Sequence, residues 1–484
     1  MKFIQEDKFV INGGHKMSKK KVDSKKRKLA MPDAYVIIFI LSAFAAIVTY
    51  IIPSGSYERS EEDGLTTVVP NSYDLVESNP TNLMDFFSSI PLGLIDTADI
   101  VFLVLIIGGT IAVFDSTGAT FSGINTLVEK TKDRKYLLII SVLTVFGLIN
   151  AVGVSGNAII AFIPIGIMLA RSLKLDAIAG VAMVYLGAYA SGTVTPLDAA
   201  IMSVAQGSAE LPLFSGAWYR FVIFFVMLIV TAIYVSLYVR KISKDPSKSL
   251  ISDNPFPGQS ESNVEIGKFT TKHKWIIVVF FAYIAVFLFG VFQYEWTTNH
   301  LAAIFLMMGI TVAIMEKMSP NKFVDVFMGG VKKLAYGAII IGMARAIIVI
   351  LENGNVIDTI VHAVVEPMQG LPALLSAQAM FVFNLFFNII VSSGSGQASI
   401  VMPLMTPIAD MLGFTRQSAV LAFKLGDGIT NIITPASGVL MAVLAIGGVS
   451  WTKWLKFVFP LVLMWTVVGA IFLTLAVLFD YGPF

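Results

Sequence analysis

A chain of 484 residues that is 56% apolar and only 14% charged, with mean hydropathy +0.79, is not a water-soluble globule. A soluble domain of this size carries roughly a quarter charged residues. The formal net charge of +2 gives no field for a nucleic-acid partner. Zero cysteines exclude disulfides, thiolate metal sites and cysteine nucleophiles, and the four histidines, at 15, 273, 300 and 362, form no metal-ligand spacing.

The first 31 residues form a basic tail: Lys16 to Lys28 holds eight Lys/Arg and one acid. Met17 offers a second start, after which the chain reads MSKKK. Positive charge stays on the cytoplasmic side of a membrane, which predicts a cytoplasmic N-terminus. No cleavable signal is visible, because the first apolar block, Tyr35–Ile52, follows a polar start and is long enough to span. A first span is expected over about 33–52, ended by Pro53. The segment Ser54–Asp96, with eight acids and one arginine, is expected outside, with an amphipathic stretch near 82–95 on the surface.

A span at about 99–116 follows. Then come two short apolar arms, Tyr136–Leu148 and Ala158–Arg171, joined by the glycine- and asparagine-rich stretch NAVGVSGN, Asn150–Asn157. Each arm gives about 20 Å of helix, too short to cross a hydrocarbon core of about 30 Å. Both outer flanks are basic. The segment 136–171 is therefore expected to be a re-entrant hairpin that opens to the cytoplasm. The next span, about 178–204, is broken by Ser191–Pro196, because proline removes a backbone donor and disfavours helix in the residue before it. A span at 218–239 returns to a basic linker, 241–274.

The second half, 275–480, repeats this plan. Ile106–Gly118 aligns with Ile340–Gly354, Ser155-Gly156-Asn157 with Ser395-Gly396-Gln397, Pro164 with Pro403, Thr195-Pro196 with Thr434-Pro435, and Trp218 with Trp454. The separations stay between 234 and 240. A hairpin is expected at about 371–412 and a broken helix at about 417–447. Two further spans, at about 275–293 and 299–316, follow the linker. Counting crossings inverts the second repeat, opens its hairpin outward and leaves the C-terminus extracytoplasmic. The fold class expected is an all-α polytopic membrane protein of two inverted repeats, each with a re-entrant hairpin and a broken helix. Inverted repeats with helices broken near the midplane point to a secondary transporter and its binding site.

The candidate site follows from these tips. Half-helix N-termini suit an anionic group, and unwound carbonyls with hydroxyl or amide oxygens suit a desolvated cation. Ser155, Gly156, Asn157 and Thr195 form one side; Ser393, Ser395, Gly396, Gln397 and Thr434 form the other. A Na⁺ site is expected near Ser155, Asn157 and Ser395. Charges within a span cost roughly 2.5–3.5 kcal/mol each and need partners. Lys424, Asp427 and Asn431, just before the second Thr-Pro, are placed in the site. Lys424 and Asp427, three apart, can pair on one helix face. Arg345 and Glu352 share a face two turns apart, and for them a packing role and a site role weigh evenly, as they do for Asp198.

These residues carry a resemblance. Ile51–Arg59 (IIPSGSYER), Gly354–Ile360 (GNVIDTI), Ser392–Pro407 and Gly426–Val449 resemble the C4-dicarboxylate anaerobic carrier family, best its YfcC-like branch, which is labelled as exchanging basic amino acids. The likeness covers about residues 30–480. It implies membership of the ion transporter superfamily, a dimerising scaffold, a mobile domain holding both hairpins, and an elevator motion. Better-known members of that superfamily carry Ser-Asn-Thr at the hairpin tips, where this chain has Ser155-Gly156-Asn157 and Ser395-Gly396-Gln397. The expected function is secondary active transport of a small carboxylate-bearing metabolite across the inner or plasma membrane. An amino acid, arginine/ornithine-type exchange included, is one substrate class; a C4-dicarboxylate coupled to Na⁺ or H⁺ is the other. A channel is the less favoured reading, since inverted hairpins suit alternating access. No cofactor is expected. An intramembrane enzyme lacks a catalytic constellation here, and no phosphate-binding Walker loop occurs.

Overall fold

The structure is a computed structural model. It describes residues 34–482 apart from 63–64, 120–121, 123–125, 127–133, 152, 154–155, 258–269 and 295. The basic tail and Ser155 lie outside the described residues.

Seventeen α-helices occur among them. The first, α1 (Ala34–Ile51), leads to two short antiparallel ribbons: β1 (Gly55–Ser56) with β4 (Asp74–Leu75), and β2 (Arg59–Glu62) with β3 (Leu65–Val68). Then come α2 (Leu83–Asp96), α3 (Ala98–Ser116), α4 (Lys135–Ala151), a 3₁₀ turn (Gly156–Phe162), α5 (Ile163–Ser172), α6 (Ala177–Gly192), α7 (Ala199–Ser208) and α8 (Ala217–Lys244). The second half holds α9 (Thr271–Tyr294), α10 (Thr298–Met315), α11 (Pro320–Asn353), α12 (Ile357–Val365), α13 (Ala373–Ile390), α14 (Gly394–Leu412), α15 (Arg416–Thr430), α16 (Gly438–Gly447) and α17 (Trp451–Leu478).

Seven of these helices are long and apolar enough to cross a membrane: α3, α8, α9, α10, α11, α13 and α17. Large apolar side chains such as Phe44, Ile229, Phe289 and Val467 are exposed along α1, α8, α9 and α17. So much bare apolar surface is unstable in water and stable against lipid tails. The chain is a multi-pass membrane protein.

The same succession appears twice: a long helix (α3, α11), two arms (α4 with α5, α13 with α14), a broken helix (α6/α7, α15/α16) and a closing helix (α8, α17). The broken helix is the centre of each set. α6 contacts α4, α5 and α8; α15 contacts α13, α14 and α17. The sets interlock, since α5 packs on α16 and α14 on α7. Every residue of α6 except Tyr189 is buried, and so is every residue of α15 from Gln417 to Thr430.

Such density needs missing side chains. A methyl group on Gly187 would lie 2.7 Å from the Leu143 carbonyl oxygen, and one on Gly426 would lie 2.3 Å from Asn384 Cβ. These two glycines, 239 positions apart, make the same arm-to-helix contact in the two halves. Small residues let backbones approach where lipid gives no hydrophobic drive. The helix α2 uses the same device: its large side chains Leu83, Met84 and Phe87 are exposed, while Gly93 packs against the backbone of α11 at Gly342. The amphipathic stretch expected on the surface is therefore clamped to α11 by its small face.

The ribbons rest on α12. Arg59 pairs with Asp358 at 3.0 Å, and the Tyr57 hydroxyl meets His362 Nδ1 at 3.0 Å. Burial, with the Asp358 charge beside it, pushes the Tyr57 hydroxyl up to about 12, so it stays neutral.

Where α6 and α15 cross, a methyl group on Gly428 would sit 2.4 Å from Thr193 Cα and 2.5 Å from the Gly192 carbonyl oxygen. Neither atom can yield cheaply. We expect Gly428→Ala to destabilise the protein by about 1–3 kcal/mol. Gly207→Ala, in α7 with nothing within 4 Å of the new methyl group, should be neutral or stabilising by up to about 1 kcal/mol. Thermal unfolding in detergent, followed by tryptophan fluorescence, ranks the two; equal midpoints would contradict the crossing.

Candidate functional site

Proline creates both breaks. Pro196 and Pro435 lack a backbone donor, so α6 stops at Gly192 and α15 at Thr430. Each chain restarts as a helix after a side-chain cap. Asp198 accepts from the N–H groups of Ala200 and Ile201 at 3.0 and 3.3 Å, and Ser437 accepts from Leu440 N–H at 3.3 Å. The starts of α6 and α15 are capped alike, by Asp176 on Ala179 (2.8 Å) and Thr415 on Ser418 (3.2 Å). Both pairs of caps stand 239 positions apart. Asp198, weighed evenly from sequence, is a helix cap.

Breaking a buried helix frees carbonyls that need donors. The arms add donors to the last turns. The Asn150 amide donates to the Ala188 carbonyl (3.1 Å) and Ser191 Oγ (3.0 Å); the Asn388 amide donates to the Asp427 carbonyl (2.8 Å) and Thr430 Oγ1 (2.8 Å). The acceptors are again 239 positions apart and the asparagines 238. The carbonyls that follow them dock the breaks: Leu197 N–H donates to Ala151 at 3.1 Å, and Thr434 Oγ1 donates to Ile389 at 2.8 Å. The closing helices add donors. Arg220, fully buried, reaches the Pro196 carbonyl at 3.3 Å, and the indoles of Trp451 and Trp454 reach Ile433 and Ile432 at 2.8 and 2.9 Å.

The first break holds one strained residue. Thr195 has φ +35°, precedes Pro196, and its buried Oγ1 has no hydrogen-bond partner among the described residues. A β-branched residue at positive φ is an outlier that costs of order 1–3 kcal/mol.

The second break holds the charges. Lys424 and Asp427 form an ion pair with 2% and 0% of their side chains exposed. Asn431 donates to the other carboxylate oxygen of Asp427 at 3.1 Å. Tyr185, from α6, donates to the Asn431 carbonyl at 3.1 Å, tying the two broken helices together. The tip of the second hairpin stands directly above: a methyl group on Gly394 would lie 3.4 Å from Asp427 Oδ2. Ser393 caps α14 through Gly396 N–H at 3.3 Å. Gln397 is buried and donates to Asn384 Oδ1 at 2.7 Å, while its own Oε1 has no partner among the described residues.

The structure thus brings together Lys424, Asp427, Asn431, Gln397 and Thr434 around one break. Thr195 belongs to the other break, which crosses it at Gly428. Ser393 and Ser395 are exposed. Gly156 and Asn157 start the 3₁₀ turn that opens the returning arm. Arg345 lies elsewhere, on α11, bonded to Asp96 of α2 at 3.2 Å and to Glu352 at 3.7 Å. Sequence reasoning missed Asn388, Asn384 and Arg220, and it left Asn150 out of the site. The internal repeat held a signal for the asparagine pair, since FGLIN (Phe146–Asn150) and LFFN (Leu385–Asn388) end on matching asparagines.

Asn388 is fully buried, whereas Asn150 is partly exposed. Asn388→Ala removes a buried amide that bridges Thr430 Oγ1 and the Asp427 carbonyl, which keeps only the Asn431 N–H; it should cost about 1–3 kcal/mol of stability, more than Asn150→Ala. Parallel thermal unfolding of the two variants in detergent gives the order; the reverse order would contradict the capping roles.

Comparison with known proteins adds the family. The family profile described as "C4-dicarboxylate anaerobic carrier" matches residues 31–478. The Escherichia coli (strain K12) protein named "Putative basic amino acid antiporter YfcC" is 30% identical over 473 residues, covering 89% of this chain and 93% of its own. A Haemophilus influenzae protein is 26% identical over 503 residues, covering 94% of this chain and 98% of its own. Among solved structures, the YdaH transporter of Alcanivorax borkumensis has a TM-score of 0.42 at 14% identity, covering 93% of this chain and all of that one. MtrF of Neisseria gonorrhoeae, described as an antimetabolite efflux pump, has a TM-score of 0.39 at 16% identity, covering 94% of this chain and 98% of that one. With a profile match along nearly its whole membrane portion, the chain belongs to the C4-dicarboxylate anaerobic carrier family of transporters.

Proposed function

We propose that this protein is a secondary active transporter of a small carboxylate-bearing metabolite, an amino acid before a C4-dicarboxylate, working by elevator-type alternating access. The observation that carries this reading is the buried Lys424–Asp427 pair at a broken helix, beneath a hairpin tip. A pair placed only for packing needs no hairpin tip above it and no strained Thr195 at the crossing break. The relative's name, a basic amino acid antiporter, supports arginine/ornithine-type exchange. The family's own description supports the dicarboxylate alternative, with Lys424 facing a second carboxylate.

The repeated caps and the interlocked arms support two inverted repeats, 32–240 and 275–480, joined by a cytoplasmic linker at 241–274. In this reading the first hairpin opens to the cytoplasm, the second opens outward, and the N- and C-termini lie on opposite sides. Helices α4 to α7 with α13 to α16 form the mobile unit. Helices with exposed apolar faces form a scaffold that dimerises. Na⁺ or H⁺ coupling is part of the proposal, with Ser155, Asn157 and Ser395 as the Na⁺ candidates and no other cofactor.

Reconstitution in liposomes with labelled arginine, ornithine, leucine, succinate and fumarate tests it, with Na⁺ gradients, H⁺ gradients or counter-substrate inside. We expect saturable uptake of an amino acid, stimulated by counter-substrate. Asn157→Ala and Gln397→Ala should each abolish uptake while the protein still elutes as a folded species in detergent. Uptake at wild-type rate in both variants would refute the site, and a non-saturating current would favour a channel.

A further inference from the structure

The Lys424–Asp427 pair has a polarity, and polarity selects a substrate head group. Resting on the amino-acid reading above, we propose that the two side chains separate to receive a zwitterionic α-amino acid. Lys424 takes the α-carboxylate and Asp427 the α-ammonium; in the empty carrier they neutralise each other.

The unspent hydrogen-bonding capacity favours this assignment. An ammonium brings three donors and no acceptor, so it wants a carboxylate and further oxygens. Asp427 is one such acceptor. The other two are orphans: Asn388 Oδ1 and Gln397 Oε1 are fully buried without a donor. Their amide nitrogens are committed, Asn388 to Asp427 and Thr430, Gln397 to Asn384. The three acceptors come from α13, α14 and α15, which pack against one another. Buried acceptors left without donors cost free energy unless a ligand satisfies them. A second carboxylate would bring only more acceptors to that place. The α-carboxylate has Lys424, whose ammonium is compact and carries three donors.

Charge balance points the same way. An isolated charge in a low-dielectric site is expensive, and removing one partner of a buried pair leaves the other uncompensated. With Lys424 and Asp427 joined, the empty site carries no net charge. With a zwitterion between them, it again carries none. The pair thus stands in for the substrate's head group, and the head-group site is neutral in both states; a basic side chain such as arginine's adds one positive charge beyond it. A dicarboxylate would leave the loaded site two charges negative unless cations entered with it.

The head-group partners can be read separately with substrate analogues. Arginine is compared with agmatine, which lacks the carboxylate, and with 5-guanidinopentanoate, which lacks the α-ammonium. Leucine is compared with isoamylamine and 4-methylpentanoate. Each serves as competitor of labelled amino acid uptake in proteoliposomes. Wild type should prefer each amino acid over both analogues by about 100-fold or more, the usual consequence of stranding a buried charge. Lys424→Gln should erase the preference over the amine alone, and Asp427→Asn the preference over the acid alone. The double exchange Lys424→Asp with Asp427→Lys retains a buried ion pair of reversed polarity; it should remain folded and lose amino-acid uptake. It also covers the case in which a single variant fails to fold. Amino-acid uptake that survives the exchange, or analogue preferences that the single variants do not move, would overturn the head-group assignment and leave the transporter reading intact. Wild-type uptake of succinate with none of arginine, ornithine or leucine would overturn the amino-acid reading, and this assignment with it.

Discussion

A helix that stops inside a bilayer must find partners for its freed backbone groups within the protein. In this chain that single requirement organises the rest. Two helices, α6 and α15, are interrupted at Thr-Pro, and in this structure the threonines of both breaks are buried within the protein. The surrounding helices are arranged to satisfy them. Asparagines at the ends of α4 and α13 reach the last helical carbonyls. Side-chain caps restart α7 and α16. Arg220, Trp451 and Trp454 come in from the closing helices.

Close approach is the price of this satisfaction. An asparagine can reach a carbonyl on a neighbouring helix only if the two backbones nearly touch. Gly187 and Gly426 permit that for the arms, and Gly428 permits it where the breaks cross. Packing and hydrogen bonding are thus two views of the same contact. The result is a core in which nearly every residue of α6 and α15 is buried, although α15 carries Lys424, Asp427, Gln417 and Thr430.

The two halves agree in architecture and differ in chemistry. Caps, asparagines and glycines recur at a separation of 238 or 239 residues. The positions equivalent to Lys424 and Asp427 are Tyr185 and Ala188, so a charged pair within the broken helix occurs in one half only. Conversely, only the first break holds a threonine at positive φ. The recurring succession of helices brings the two breaks together, and differences at a few positions make the arrangement polar. Under the proposed function, a site with one ion pair on one side would distinguish the two ends of its ligand.

Much of this was legible in the amino-acid order. Apolar blocks of about 20 residues fix a membrane protein, because backbone groups in lipid must be internally paired. Proline, whose backbone constraint is local, marked both breaks. The fixed separation of Thr-Pro pairs exposed the repeat, and three-residue spacing placed Lys424 beside Asp427. What needed the tertiary structure was every contact made across distant segments. Asn388 reads as one polar residue in an apolar helix until α15 is laid against it. Arg220 looks like an end-of-helix cation until the Pro196 carbonyl is seen to receive it. The ribbons found their seat only because Asp358, some 300 residues later, was brought to Arg59. Local backbone chemistry is written in consecutive residues; which donor reaches which stranded acceptor is decided by how the helices cross.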